Sequence, residues 1–460
     1  MLSVSNENRM SYSSSPFKQR ALLILGILVF IACYQWAYIH WLFPTFGYLG
    51  YDYNPPSAGY LLLAWLLSAL PSLWMPLSID RPSKLIYWVL YLFVFIPSMF
   101  IPLFAAINPP SQVAELMLVL FAGFALTGLS YRRPLLKLHP HQISSSRFGY
   151  GLGLVVGVFT LWVLIAFRGN LHIVSFTDIY DVRNDADAVM AGTLLNYPLL
   201  LLSCAINPFL MGWGLYYKRA SLFVIGMLGQ VLVYSCFGTK ASILSVLFIL
   251  GFYLLFRVRR IPFALTLTWA LVAIYVGLSL SFVFAGDEPG LILTGILALV
   301  FMRTFALTGL LTAQYYYFFQ HNPLTLYSHL KGVSWFINYP YHYYLGSEIG
   351  YYYYGSLVDT TAHLWAMDGL AALGLPGILF VSVVCALVFW VLDSAAQKHA
   401  PRLAALVICY AAYNLASLSM FTTLLSRGLG LLMVILYLMP REQSEVSREP
   451  IVSGAVAPAN

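Results

Sequence analysis

Long apolar runs, each bounded by Lys or Arg or by Pro and Gly, repeat along almost the whole chain. Runs of about 17–23 residues match the length that an α-helix needs to cross a bilayer. Because lipid cannot hydrogen-bond backbone groups, such a segment must satisfy them within its own helix. The pattern predicts twelve membrane-spanning helices, at residues 21–43, 58–77, 85–104, 113–131, 150–167, 194–217, 222–237, 241–256, 262–284, 370–391, 403–420 and 425–438.

Two connections between these runs are much longer than the others. Residues 168–196 hold the densest group of charges in the chain, and residues 285–369 are rich in tyrosine. The second connection opens with an apolar stretch at 291–319, which Arg303 interrupts. A full crossing there would reverse the sidedness of every later span, so we interpret it as an amphipathic or half-inserted helix on the outer face. Residues 21–440 then form one transmembrane domain.

Composition excludes a soluble protein. Hydrophobic residues make up 60% of the chain and charged residues 9%, and the mean hydropathy is +0.80, whereas soluble domains carry roughly 25% charged residues. The net charge of +7 does not indicate a nucleic-acid partner, because the cations are scattered between apolar runs. All five cysteines fall within spans at spacings without a metal signature, so neither a disulfide framework, a metal nor a cofactor is predicted.

Positive charge predicts the orientation. The polar ends, 1–20 and 441–460, are expected to be disordered, and placing both in the cytoplasm puts eighteen of the 24 Lys and Arg residues on the inside, as the positive-inside rule requires. These eighteen are Arg9, Lys18, Arg20, Arg81, Lys84, Arg132, Arg133, Lys137, Arg147, Lys218, Arg219, Arg257, Arg259, Arg260, Lys398, Arg402, Arg441 and Arg448.

Six cations remain on the outer side: Arg168, Arg183, Lys240, Arg303, Lys331 and Arg427. Arg168 could be a helix-end anchor, and Arg183 could balance the aspartates around it. Lys240, Arg303 and Arg427 adjoin apolar helix at the outer membrane edge, where an unpaired cation is costly and indicates a functional site. With Arg168 and Arg183 they predict a binding site for a lipid-linked diphosphate, since guanidinium groups bind phosphate in a bidentate manner.

A histidine and an acid stand four residues apart before the tenth span. If that entry is helical, Asp359 and His363 share one face, and the carboxylate could orient the imidazole as a general base for a hydroxyl. Alternatively, His363 is a polar helix-end residue bonded to backbone. The spacing of Asp185 and Asp187 suits a divalent ion only weakly, because carboxylates in an exposed loop are usually solvated.

Tyrosine is concentrated in the second outer connection, with twelve between residues 315 and 354. Such residues form interfacial belts that anchor a protein at the headgroup level. They also suit a carbohydrate groove, because the ring packs on sugar C–H groups and the hydroxyl forms hydrogen bonds. The candidate glycan contacts are Tyr180, Asp181, Tyr341, Tyr344 and Asp368.

Four short motifs occur in an order that resembles a known family. They are Y-D-V-R at 180–183, G-T-K at 238–240 followed by an apolar span closed by R-V-R-R, the arginine-bearing outer helix around Arg303, and H-L-W-A-M-D-G-L-A-A-L-G-L-P-G at 363–377. In this order they resemble the Wzy-type oligosaccharide repeat-unit polymerases, which are related to the O-antigen ligases. The family usually has arginine where this chain has Lys240, which keeps the charge but loses bidentate geometry.

The resemblance implies a GT-C-like glycosyltransferase in the bacterial inner membrane that acts at the periplasmic face without nucleotide sugar or metal. Its substrates would be undecaprenyl-diphosphate-linked oligosaccharides, polymerised into O-antigen, capsule or exopolysaccharide. Membrane lipid, a chain-length regulator and a flippase would be its partners. Two alternatives remain: a ligase that moves glycan onto a lipid A core, and a flippase or transporter of lipid-linked oligosaccharide. Transporters place charges near the bilayer midplane on broken helices, whereas these charges gather towards one face.

Overall fold

The computed structural model describes residues 15–138, 143–169, 171, 189–190, 192–286 and 290–440. Every regular element in these residues is a helix. The main helices are α1 (Pro16–Leu49), α2 (Ala58–Leu73), α3 (Pro82–Ala105), α4 (Pro110–Arg132), α5 (Ser145–Ala166), α6 (Asn196–Tyr216), α7 (Ala220–Phe237), α8 (Lys240–Arg257), α9 (Phe263–Ala285), α10 (Leu291–His321), α11 (Leu345–Tyr354), α12 (Leu375–Ala396), α13 (Pro401–Ser417) and α14 (Met420–Leu438).

Eleven of these helices are long and apolar enough to cross a membrane, namely α1, α3 to α10, α12 and α14. The prediction of an all-α polytopic membrane protein is confirmed. Ten of the eleven coincide with predicted spans, and the eleventh is α10. The second and eleventh predicted spans correspond to the shorter helices α2 and α13, which begin and end within the predicted ranges or close to them.

One face of the bundle collects basic side chains and the helix ends around them. The Arg20 guanidinium donates to the carbonyls of Ser72 and Met75, at 2.8 and 2.7 Å. The Lys398 ammonium donates to the carbonyl of Tyr437 at 2.6 Å. We call this the basic face and the opposite one, at the end of α1, the site face. The topology predicted from positive charge makes the basic face cytoplasmic.

Helix α3 forms the centre of the bundle, and its whole apolar window is buried. Its first turn begins at Pro82, whose missing N–H is no loss at that position. Asp393, near the end of α12, accepts from the Ser83 backbone N–H at 2.9 Å and from the Ser83 hydroxyl at 2.6 Å. A distant carboxylate thus satisfies an N–H that the helix itself leaves open. This contact fixes α12 against α3 at the basic face.

The start of α10 lies on the site face. Helix α9 begins at the basic face, where the Ala264 N–H donates to the Leu77 carbonyl. It ends near the far part of α1, where the rings of Phe282 and Trp41 are 4.6 Å apart. Only residues 286–290 separate α9 from α10, and five residues reach at most about 18 Å. Because that is less than the hydrocarbon thickness, α10 begins on the face where α9 ends.

The end of α10 lies on the same face. Its middle reaches the centre of the bundle, where the Phe305 ring stacks on Phe93 of α3 at 4.5 Å. From there it follows α3 outward: Thr308 donates to the Phe93 carbonyl, and Asn108, beyond the end of α3, donates to the Ala313 carbonyl. By length α10 could cross a bilayer, but its contacts describe a helix that dips to the centre and returns. The bend coincides with a π-helical stretch at Leu297–Ala306.

A glycine allows α10 to pack closely on α3. A Cβ added at Gly309 would lie 2.5 Å from the carbonyl oxygen of Pro97, whereas one at Gly295 would meet nothing within 4 Å. We expect Gly309→Ala to lower the free energy of unfolding by about 1–3 kcal/mol. The added methyl group would clash with a backbone oxygen of α3, which cannot move aside as a flexible side chain can. Thermal unfolding in detergent measures this. Gly295→Ala, in the same helix, is the control, and equal midpoints for the two variants would contradict the close packing.

Candidate functional site

The last helix is broken at the residue that carries its cation. The first part of α14 ends at Leu425 and the second begins at Leu429. Between them Gly428 has a φ of +82°, a region that favours glycine. A Cβ there would also lie 2.5 Å from the Cβ of Ala205. The break turns Arg427 towards α6, where its Nη1 donates to Cys204 Sγ at 3.6 Å.

Two tyrosines of α13 connect three of the predicted cations. The rings of Tyr410 and Tyr413 stack with centroids 5.9 Å apart. Arg427 interacts electrostatically with Tyr410, and Arg303 with Tyr413. The Tyr410 hydroxyl donates at 3.2 Å to the carbonyl of the residue that follows Lys240. This tyrosine pair thus links the surroundings of Arg303 and Arg427 with the start of α8, where Lys240 lies, and we call these three residues the cation cluster.

Arg427 lies deeper than the sequence indicated. Arg427 is eleven residues from the end of α14 at the basic face, which is at most about 16 Å along the axis. Tyr410 is nine residues from Pro401, or about 13 Å. Arg427 is thus roughly halfway through the bundle, deeper than the predicted outer membrane edge, whereas Lys240, the first residue of α8, is about 25 Å along the axis from the end of that helix at the basic face. Arg427 is only partly exposed, and its buried Nε has no hydrogen-bond partner in the described part of the chain.

An exposed carboxylate faces this cluster from the outer connection. Asp359 interacts electrostatically with Arg427. Its Oδ1 accepts from the backbone N–H of Thr361 at 2.9 Å and from the Thr361 hydroxyl. These two bonds fix one oxygen of the carboxylate in a local turn.

The predicted pairing of Asp359 with His363 is not made. Residues 357–363 are not helical, so the two side chains do not share a helix face. His363 is 1% exposed. Its Nε2 lies 2.9 Å from the Thr312 hydroxyl and 3.3 Å from the Thr308 carbonyl, and Thr312 in turn bonds to Ser98. The imidazole therefore joins a buried polar network between α3 and α10, and the alternative of a structural histidine fits its contacts.

Burial lowers the pKa of His363 to about 3. In the unfolded chain the imidazole takes up a proton below about pH 6.5, whereas the folded protein does not until far lower pH, so acid favours unfolding. We expect this residue to cost about 2 kcal/mol of stability between pH 7.5 and pH 5. His363→Gln should lose less stability over that interval than the wild type in thermal unfolding. His342→Gln, at an exposed position, is the control, and equal losses in all three proteins would contradict the burial.

Asp368 is a structural residue and the prediction that it contacts glycan is wrong. It is fully buried. Its Oδ1 accepts from the Ser419 hydroxyl at 2.6 Å, and its Oδ2 accepts from the Met420 backbone N–H at 2.5 Å. His329 Nε2 lies 4.0 Å from Oδ1. Both carboxylate oxygens therefore accept hydrogen bonds from the start of α14, and no part of this side chain is accessible to a sugar.

The outer connection exposes aromatic rings on the site face. Tyr344 is 83% exposed, and Trp335 and Phe336 are exposed to a similar degree. Tyr341 instead packs on Phe318, and its hydroxyl donates to the Pro323 carbonyl. Of the two described tyrosines predicted to bind glycan, Tyr344 is thus open to a ligand and Tyr341 is largely engaged within the protein. Trp335 and Phe336 were not among the sequence candidates, although two adjacent aromatic residues in the outer connection could have indicated an exposed binding surface.

The other predicted site residues are separate from the cluster or lie outside the described residues. Arg168 is exposed in the turn after α5, and no hydrogen bond or ion pair in the described residues joins it to the cluster. Tyr180, Asp181 and Arg183 lie outside the described residues, as do the two aspartates considered for a metal. In the part that the structure describes, no three His, Cys, Asp or Glu side chains meet in a group suited to a metal ion.

Comparison with known proteins gives no family for this chain. Neither a family model, nor a curated protein, nor a solved structure matches it.

Proposed function

We propose that the protein is a membrane glycosyltransferase that polymerises oligosaccharide repeat units carried on a lipid diphosphate. The observation that carries this proposal is that Lys240, Arg303 and Arg427, from three separate helices of an apolar bundle, are all associated with the tyrosine pair of α13. A guanidinium group such as that of Arg427, whose buried Nε has no hydrogen-bond partner in the described residues, is costly in that setting unless an anion pairs with it. A diphosphate attached to a polyprenyl chain brings both the negative charge and the apolar tail that such a site requires.

The chemistry is a direct displacement. The acceptor hydroxyl oxygen attacks the anomeric carbon of the donor, and the bond from that carbon to the diphosphate oxygen breaks. The electron pair leaves with the diphosphate, where the cation cluster stabilises the growing charge in a site of low dielectric constant. Asp359 takes the proton from the hydroxyl, and its exposed carboxylate supports this role over the buried His363. A single displacement inverts the anomeric centre.

The exposed aromatic side chains of the outer connection supply the sugar contacts in this proposal. Trp335, Phe336 and Tyr344 offer ring faces on the same side of the bundle as the cluster. Sugar rings pack their C–H groups against such faces. The membrane partners implied by the resemblance, a chain-length regulator and a flippase, would meet the protein on this side. With the basic face in the cytoplasm, the reaction takes place at the periplasmic face of the inner membrane.

A second function has an observation in its favour. Arg427 stands in the break of a discontinuous helix, about halfway through the bundle, as substrate-binding residues of transporters do. A flippase of lipid-linked oligosaccharide would use the same diphosphate contacts without breaking a bond. Both ends of α10 and the aromatic surface lie on the site face, and this asymmetry supports the enzyme.

Deletion of the gene followed by reconstitution tests the proposal. Loss of a polymerase leaves single repeat units on the carrier lipid, whereas loss of a ligase leaves long polymer on it, and loss of a flippase leaves repeat units on the cytoplasmic side. Lipid-linked repeat units extracted from the deletion strain are then added to the purified protein in detergent, where no translocation is possible. Formation of longer glycan on the carrier lipid supports the polymerase, and an unchanged repeat unit refutes it.

A further inference from the structure

A cavity of about 520 Å³ opens at the basic face, away from the cation cluster. Three parts of the chain form it: the end of α6 with the turn to α7, the end of α8, and the start of α13. Its apolar walls include Leu215, Phe256 and Leu406. Tyr216, Tyr217 and Tyr253 add hydroxyl groups at its margin. The cavity lies where the helices end, so it is at the level of lipid head groups when the bundle is in a bilayer.

Four cations line the cavity, and no acidic residue does. They are Lys218, Arg257, Arg259 and Arg402. Arg257 lies over the ring of Tyr253 with its Cζ 5.8 Å from the centroid. None of the four makes an ion pair with another described residue. Four like charges in one concave site repel each other, and a bound anion relieves that repulsion.

The backbone at one of these cations is in an unusual conformation. Lys218 has a φ of +57° in the turn between α6 and α7. Glycine or asparagine adopts this region more easily than lysine does. The Arg219 N–H donates to the Gly214 carbonyl at 2.8 Å, which closes the turn. The turn thus holds a long basic side chain at a position that steric preference would give to glycine, and that side chain lines the cavity.

We propose that this cavity binds the phosphate of an anionic phospholipid from the leaflet at the basic face. Basic pockets between membrane helices recognise such head groups through charge. The apolar walls continue the cavity towards the hydrocarbon and suit the glycerol and first methylenes of the acyl chains, which a free phosphate lacks. The site is independent of the proposed glycosyl transfer, since it lies on the other face and shares no residue with the cation cluster.

Lipid retention during native mass spectrometry tests the site. The full-length protein is equilibrated with equal amounts of phosphatidylglycerol and phosphatidylcholine, and bound lipid is counted. We expect preferential retention of phosphatidylglycerol, and a loss of about 25-fold in its affinity in the variant Lys218→Gln/Arg259→Gln, at about 5-fold for each cation. The matched control Arg219→Gln/Arg260→Gln removes two charges at adjacent positions that do not line the cavity, and should retain the lipid.

Three outcomes would overturn the proposal. The first is equal retention of the two lipids by the wild type, which needs no variant to be interpreted. The second is an equal loss in both double variants, which would mean a general attraction to the basic face. The third is displacement of phosphatidylglycerol by millimolar inorganic phosphate, which would mean a site for soluble phosphate. Thermal unfolding of each variant without added lipid verifies that the bundle is intact, and Arg402→Gln alone provides a milder substitution of the same site.

Discussion

Replacement of Arg427 by glutamine is expected to abolish glycan polymerisation, with a loss of about a thousandfold in rate. The guanidinium stands at the break of α14, where Gly428 turns it towards α6 and the electrostatic field of Asp359 reaches it. In the proposed reaction it would stabilise charge on the departing diphosphate, and removal of one such donor typically costs a factor of about 10²–10³. The measurement is the rate of chain elongation by purified protein on lipid-linked repeat units.

The conservative and distant substitutions separate this role from a structural one. Arg427→Lys keeps the charge but not the fork geometry, so it should retain part of the activity. Arg219→Gln removes a cation at the basic face and should leave the rate unchanged. Because Arg427 is partly buried, each variant needs a thermal unfolding curve. Wild-type elongation by a well-folded Arg427→Gln protein would exclude the cation cluster from the reaction.

Replacement of Asp368 by alanine is expected to destabilise the bundle by about 3–5 kcal/mol, enough to prevent isolation of a folded protein. The change leaves the Ser419 hydroxyl and the Met420 N–H buried without an acceptor. Asp368→Asn keeps one acceptor oxygen and should cost less. The measurement is the thermal midpoint in detergent together with the fraction of protein that elutes as a single species.

A double-mutant cycle with Ser419 tests the assignment directly. Ser419→Ala removes one of the two donors, so the pair Asp368→Ala/Ser419→Ala should cost less than the sum of the single changes. Additive effects would mean that the two side chains do not act together. A stable Asp368→Ala protein that had lost only glycan binding would restore the residue to the sugar site.

The sequence predicted well where apolar periodicity alone decides the structure. The positions of the spans depend on runs of apolar residues, and α3 and α9 begin and end within a few residues of their predicted bounds. The cations Lys240, Arg303 and Arg427 could be selected because a charge in an apolar segment is costly wherever it lies. Their depth could not be predicted, since it depends on how α13 and α14 pack against α6.

The errors have a common physical cause in long-range contacts. The pairing of Asp359 with His363 assumed a helix from four-residue spacing, whereas the segment is not helical and His363 bonds to Thr312, 51 positions away in sequence. Asp368 was a candidate glycan contact, but its partner Ser419 is equally remote in sequence. Polar residues in an apolar bundle are satisfied by whichever helix is adjacent in space, and a single sequence does not reveal that helix.

The return of α10 to the face from which it enters has a consequence for biosynthesis. A ribosome delivers this 31-residue apolar segment when only the first nine spans exist, and by length the insertion machinery could integrate it as a crossing. The Phe93 carbonyl on α3, which accepts a hydrogen bond from the Thr308 hydroxyl, is already in the membrane at that moment. The segment can therefore pack against α3 as it emerges. Reporter proteins fused just after residue 321 of a truncated chain and after residue 398 of a longer one would therefore record when the sidedness of the last three spans becomes fixed.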